Sequence, residues 1–135
     1  MIVADRRAQA LPRPTPSELG ILQVLWKLGP ATVRDVHQAL SEQEPTGYTT
    51  VLKFLQIMYS KGLVDRDARR RAHVYRALLS QSEAQRQMTE HLVDRVFDGS
   101  RSKLVLAALG DSAGTTPEEL AEIRAMLDRL EGTGR

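Results

Sequence analysis

Cysteine is absent from the 135 residues, which excludes disulfide staples, thiolate nucleophiles and every metal site built on a thiolate. Histidine is scarce. His37, His73 and His91 are the only imidazoles and stand at least 18 residues apart, so the short-range histidine pairs of common zinc sites are missing. Long apolar runs are missing too: the longest, Leu104 to Leu109, is six residues, against the roughly 20 that span a bilayer. The opening stretch, MIVADRRAQALPRP, carries charge at Asp5, Arg6 and Arg7 and has no apolar secretory region, so a cytoplasmic, reducing location is expected. No G-x-x-x-x-G-K-[ST] loop occurs to cradle a nucleotide phosphate. No cofactor, metal or small-molecule substrate is implied.

What is present suits a folded protein, with 41% hydrophobic and 27% charged residues. The length fits one domain or two small lobes. The formal net charge of +2 conceals an asymmetry. Residues 1–79 hold 12 Lys and Arg against 7 Asp and Glu, a net +5, and residues 80–135 hold 7 against 10, a net −3. A basic half joined to an acidic half points to a polyanion for the first and a protein partner for the second.

Helix starts are well marked. Thr15-Pro16-Ser17-Glu18, Ser80-Gln81-Ser82-Glu83 and Thr116-Pro117-Glu118-Glu119 have the spacing of capping boxes, and Thr32 followed by Asp35 is a looser version. From these starts the apolar spacing predicts helices over about 16–28, 33–40 and 47–61, the last stopping at Gly62. The third is expected to turn Val51, Leu52, Leu55, Met58 and Tyr59 inward. Two strands flanking a basic tip follow, Leu63 to Asp67 and His73 to Ala77. Further helices are expected over 80–97 and 104–109 and, beyond a Gly/Ser/Thr-rich linker, from Thr116 onward. The resulting division is a tail over 1–14, a winged helix-turn-helix over 15–79 and a helical region over 80–135. The fold is thus mainly α with a small β-hairpin wing.

In a winged helix the third helix enters the major groove and the wing rides beside it. The stripe opposite the third helix's core is Thr49, Lys53, Gln56 and Ser60, with Tyr48 and Thr50 beside its start. Lys donates to guanine, Gln pairs with adenine through two hydrogen bonds, and a Thr methyl touches the thymine methyl. Taken alone, such a stripe reads more readily as an ordinary solvated helix face. Arg69, Arg70 and Arg71 at the wing tip strengthen the DNA reading, since they suit phosphates or the minor groove, with His73 alongside. No catalytic constellation emerges. His37 falls on an apolar stripe with no nucleophile or carboxylate paired to it by spacing, and Glu118, Glu119 and Glu122 sit where negative charge favours a helix dipole.

Leu19 to Trp26, Thr32-Val33-Arg34-Asp35-Val36, Tyr48-Thr49-Thr50-Val51 and Lys61-Gly62-Leu63-Val64 together resemble the BlaI/MecI/CopY repressors, over roughly Ser17 to Leu130. The resemblance implies a dimer with an N-terminal winged helix and a C-terminal helical dimerisation region, bound to a palindromic operator to repress transcription. It also implies a membrane metallopeptidase sensor as a partner in the β-lactam-responsive branch. This chain departs from the pattern at three places. It lacks the cysteine-rich hook of the copper-responsive branch, which excludes copper sensing by that route. Ala107-Ala108 stands where the cleaved Asn-Phe pair follows a Leu-Val-Leu segment, and Ile57 stands where family members often have Arg.

The function expected is therefore a homodimeric repressor without enzymatic activity, binding a double-stranded DNA operator. Its dimer interface would be built on Met88, Leu92, Val96, Phe97, Leu104, Leu120, Ile123, Leu127 and Leu130, the last four forming a coiled-coil-like seam. The rival expectation is a winged-helix protein-interaction module that joins a complex through the same C-terminal helices without binding DNA.

Overall fold

The computed structural model describes residues 13–110 and 114–133. In chain order the elements are α1 (Pro16–Leu28), β1 (Ala31–Thr32), α2 (Val33–Ser41), α3 (Tyr48–Lys61), β2 (Val64–Asp67), β3 (Val74–Ala77), α4 (Gln81–Arg95), α5 (Arg101–Leu109) and α6 (Pro117–Thr133). Most of the expected tail and residues 111–113 of the linker lie outside the described residues. The chain divides into two compact units, one ending at Met88 and the other beginning at Thr89.

All four predicted caps form. In each, the Ser or Thr hydroxyl accepts from the backbone three residues on, and the carboxylate there accepts from the cap's own N–H: Thr15 with Glu18, Thr32 with Asp35, Ser80 with Glu83, and Thr116 with Glu119. Each box satisfies two N–H groups that a helix start otherwise leaves without partners. α5 begins earlier than its apolar run suggests, at Arg101, because Ser100 accepts from the Lys103 N–H. With Lys in the third position no reciprocal acceptor exists, so the capping-box signal is missing. α4 ends at Arg95, two residues short of expectation, where Asp98 and Gly99 take positive φ.

In the first unit, helices α1 to α3 enclose a core with the sheet. Ile21, Leu22 and Leu25 of α1, Val36 of α2, and Val51, Leu55 and Met58 of α3 are buried with Leu63, Val64, Tyr75, Leu79 and Ala84. The Trp26 indole N–H donates to the Leu79 carbonyl at 2.9 Å, fixing the chain where it leaves β3. Gly62 closes α3 in the left-handed conformation (φ 84°, ψ 13°), which costs glycine nothing and turns the backbone straight into β2. The sheet has three antiparallel strands, not two, in the order β1-β3-β2, with Ala31 opposite Tyr75 on one side of β3 and Arg66 opposite Tyr75 on the other. β1 is too short to show a period in sequence; it exists because β3 offers it an edge. Tyr59 also departs from expectation. It is exposed, and the Arg66 guanidinium lies over its ring, 4.1 Å from the centroid.

In the second unit, Val93 is buried and α5 and α6 leave a groove between them, lined by Leu104, Val105, Leu109, Ile123, Met126, Leu127 and Leu130 among others. Arg101 pairs with Glu90 at 2.7 Å, joining the start of α5 to α4 within this unit. Among the described residues no helix is long and apolar enough to cross a membrane.

Candidate nucleic-acid interface

Because α3 commits Val51, Leu55 and Met58 to the core, the opposite stripe has to face water, and Thr49, Lys53, Gln56 and Ser60 are all exposed there. Tyr48, Thr50 and Ile57 are exposed on the flanks of the same surface. Its start lies in the turn after α2. Gly47 is the cap residue, and it provides no side-chain acceptor for the first-turn N–H groups, unlike the caps of the other helices among the described residues. The turn is held from α2, where the half-buried His37 donates from Nε2 to the Thr46 carbonyl at 2.7 Å. The same imidazole meets the Tyr48 ring edge-on, with centroids 5.6 Å apart. His37 is therefore a structural residue of the turn.

At the wing the arginines are unequal. Arg69 grips Asp67 with both its Nε (3.0 Å) and Nη2 (2.7 Å), and its backbone N–H donates to the same carboxylate. The Arg69 side-chain hydrogen bond, followed by that backbone bond, holds the Asp67 carboxyl far below the usual carboxylate range, and the pairing pushes the Arg69 guanidinium up. Arg76 is likewise tied to Asp65 at 2.9 Å. Arg70 and Arg71 are exposed and, among the described residues, form no ion pair. His73 is half-buried at the start of the returning strand. Thus the two wing carboxylates pair directly with Arg69 and Arg76, while Arg70 acts on Asp67 only through its charge and Arg71 forms no ion pair among the described residues.

The sequence profile described as "Penicillinase repressor" matches residues 14–129. The chain belongs to the penicillinase repressor family. It is similar to the transcriptional regulator BlaI of Mycobacterium tuberculosis, with 32% identity over 114 residues, 80% of this chain and 83% of that protein. It is also similar to the methicillin resistance regulatory protein MecI of Staphylococcus aureus (strain N315), 20% identical over 113 residues, 84% of this chain and 91% of that protein. A solved structure of Bacillus licheniformis BlaI, the monomeric form in complex with the blaP half-operator, overlays with a TM-score of 0.48 at 23% identity, covering 54% of this chain and 89% of that one. A MarR family protein from Bacillus stearothermophilus overlays with a TM-score of 0.47 at 19% identity, covering 96% of this chain and 83% of that one.

As a member of this family the protein is a transcriptional repressor with a winged helix, and the family is one of regulators and not of enzymes. Among the described residues, no three His, Asp or Glu side chains gather as a metal site. Of the apolar residues expected at a dimer interface, the repressor's second unit brings Leu104, Ile123, Leu127 and Leu130 to the α5–α6 groove. Leu106 on α5 (70% exposed) and Leu130 (61%) leave much of this surface in water. Met88, Leu92, Val96, Phe97 and Leu120 do not line the groove; Leu92 and Val96 are exposed and the other three half-buried. Met126 lines it and was not anticipated, because it falls outside the three-four spacing of the seam.

Two further residues were missed beside the wing. Arg34, in the first turn of α2, and Arg66, on β2, line one cleft with Arg71, His73, Tyr48 and Gln56. A faint signal for Arg34 existed in the sequence: a cation just inside a helix start opposes the dipole, which is worth about 0.3–1 kcal/mol.

Proposed function

We propose that this repressor is a homodimer that binds a palindromic DNA operator, each protomer laying α3 in a major groove and its wing along the backbone. The observation that carries this is the pairing of an exposed polar stripe, Thr49, Lys53 and Gln56 with Tyr48 and Thr50 at its head, with a wing whose exposed Arg70 and Arg71 form no ion pair among the described residues. Lys53 and Gln56 supply donors for base edges, and the wing cations and His73 suit phosphate oxygens. A repressor works where the chromosome is, which supports a cytoplasmic location.

Residues from about 80 onward serve dimerisation in this reading. Its support is the apolar surface on α5 and α6, where Val105, Leu106, Met126, Leu127 and Leu130 are all exposed; left in water, a patch of this kind favours association. A membrane metallopeptidase as the source of the releasing signal rests on the family resemblance alone. Ala107 and Ala108, at the position of the cleaved pair in relatives, are exposed on α5.

The test is to enrich duplexes from a random pool with the full-length protein and measure their mobility shift against unselected competitor. Enrichment of an inverted repeat is the expected result. Recovery of no preferred duplex would remove the operator reading and favour the rival in which the winged helix joins a protein complex.

A further inference from the structure

Thr32, Val33 and Arg34 at the start of α2, Tyr48, Leu52 and Gln56 along one edge of α3, and Arg66, Arg71 and His73 of the wing enclose a cleft whose lining contains no Asp or Glu. Three arginines from three segments of the sequence therefore line one space whose walls hold no carboxylate. Arg34 and Arg71 form no ion pair among the described residues, and the wing carboxylates that could have neutralised the cleft, Asp65 and Asp67, are committed to Arg76 and Arg69. Arg66 is held differently, its guanidinium lying on the Tyr59 ring at 4.1 Å. Stacking of this kind fixes the plane of the fork while leaving its N–H edges free to donate. Arg34 is placed against its own helix dipole. Gathering like charges in this way is unfavourable unless an anion joins them.

From this geometry we infer that the cleft between α3 and the wing is a seat for one phosphate group, with Arg34, Arg66 and Arg71 as its principal donors and Tyr48 and His73 at its rim. A tetrahedral oxyanion matches three planar forks far better than a carboxylate would, since it offers oxygens in more than one plane. Two sources share that chemistry, a phosphodiester of the DNA backbone and a free phosphate. We assign the first, because Tyr48 and Gln56 belong to both the cleft and the exposed face of α3, so a strand lying against that face passes the mouth of the cleft. The assignment rests on the proposed operator binding and adds to it two residues, Arg34 and Arg66, and a division of labour within the wing: Arg71 binds phosphate, and Arg69 is already satisfied by Asp67.

The experiment uses the full-length protein, a duplex enriched from a random pool and an unselected duplex, with affinities taken across a salt series. Arg34→Gln and Arg66→Gln should each lower the slope of log affinity against log salt, and the two together by no more than about 0.9, the counterion release that accompanies one bound phosphate. Both should weaken the two duplexes by the same factor, and Arg69→Gln should leave the slope as it is. Arg34 is exposed, so its variant keeps the fold; thermal unfolding of each variant confirms that the comparison is between folded proteins. In a second arm, inorganic phosphate is added to the DNA-free protein while the Arg34 and Arg66 Nε–H resonances are followed. Weak, saturable shifts at both support the seat. Unchanged slopes in both Gln variants, with the wild type still preferring its enriched duplex, would overturn the seat and spare the operator reading. Tight phosphate binding together with unchanged slopes would assign the cleft to a free anion and overturn the DNA source. No duplex preference and no salt-dependent binding by the wild type would remove the operator reading itself, and the seat with it.

Discussion

Glu18 at the start of α1 and Lys61 at the end of α3 are joined by two hydrogen bonds, 2.7 and 2.9 Å, across 43 residues of sequence. Glu18 is only 2% exposed, the one charged side chain among the described buried residues, and it also accepts the Thr15 N–H in the capping box of α1. One carboxylate thus caps the first helix and anchors the far end of the helix that carries the candidate base-reading stripe. Burial works to raise its pKa, but the Lys61 hydrogen bond, the Thr15 backbone bond and the Lys61 charge outweigh that and hold it below the ordinary value.

Breaking this pair should therefore destabilise the first unit. Lys61→Met leaves the buried carboxylate without its cation and should cost about 3 kcal/mol, the low end for a buried pair, since the Lys61 side chain keeps 30% of its surface in water. Glu18→Gln keeps an acceptor for Thr15 and should cost less, about 1.5 kcal/mol. Because the folded pKa is depressed, the stabilisation is complete above the ordinary carboxyl value of 4.5 and is lost as the pH falls through the folded value. Urea midpoints at neutral and acidic pH check this: the wild type should lose more stability on acidification than Glu18→Gln, and an equal loss would show that the pair contributes nothing to the pH dependence.

The turn before α3 offers a second test. His37→Ala deletes the bond to the Thr46 carbonyl and the edge contact with Tyr48, together worth about 1–2 kcal/mol. Amide exchange at Tyr48 to Thr50 should accelerate more than exchange in α1. Uniform acceleration through the first unit would mean that His37 stabilises the fold as a whole and has no particular hold on the turn.

How much of this was legible in sequence follows from the range of each interaction. The capping boxes are made within three residues, so Thr15, Thr32, Ser80 and Thr116 announced their helices, and the buried face of α3 followed from Val51, Leu55 and Met58. β1 was not legible, because Ala31 becomes a strand only by meeting Tyr75 from the far side of the wing. Tyr59 looked like a core residue by helical spacing, yet its ring serves as a platform for Arg66 on another element. The run Arg69-Arg70-Arg71 read as three equivalent charges, whereas the fork of Arg69 closes on Asp67 two residues away. Arg34, Arg66 and Arg71 could be seen to share a cleft only after the wing had folded against α3.

Base reading and charge attraction should separate by mutation. Lys53→Ala and Gln56→Ala are each expected to lose about 1–3 kcal/mol of discrimination between an enriched and a random duplex. Replacing Arg70 and Arg71 together by alanine should instead weaken both duplexes alike and flatten the salt dependence by about 0.9 for each phosphate that is no longer neutralised. Competition binding at several salt concentrations distinguishes the two classes, and full retention of affinity by the wing variant at every salt concentration would place the wing away from DNA.

Dimerisation should depend on the α5–α6 surface. Leu127 lines the groove and is half exposed in the single chain, so Leu127→Asp is tolerated by the monomer but buries an unpaired carboxylate in a dimer, at a cost of several kcal/mol. That shifts a micromolar dimer by orders of magnitude. Sedimentation velocity at micromolar concentration reads the outcome directly; a dimer unaffected by Leu127→Asp would move the interface elsewhere.

The same variant tests whether the two units act together on DNA. In a twofold dimer each winged helix occupies one half-site, with centres about one helical turn apart or a multiple of it. Once the first half-site is bound the second binding event is intramolecular, and avidity of about 10²- to 10⁴-fold follows without any new contact. Leu127 belongs to the second unit, whereas the α3 stripe and the wing belong to the first, so Leu127→Asp should leave affinity for a single half-site unchanged and remove the advantage on a palindrome. Changing the spacing between half-sites by half a helical turn should abolish that advantage for the wild type, because one wing would then meet the wrong face of the duplex. Titrations of both proteins against palindrome, half-site and respaced duplex measure all three effects. If Leu127→Asp sediments as a monomer yet binds the palindrome as tightly as the wild type, recognition does not need the dimer, and the exposed apolar residues of α5 and α6 serve some other association.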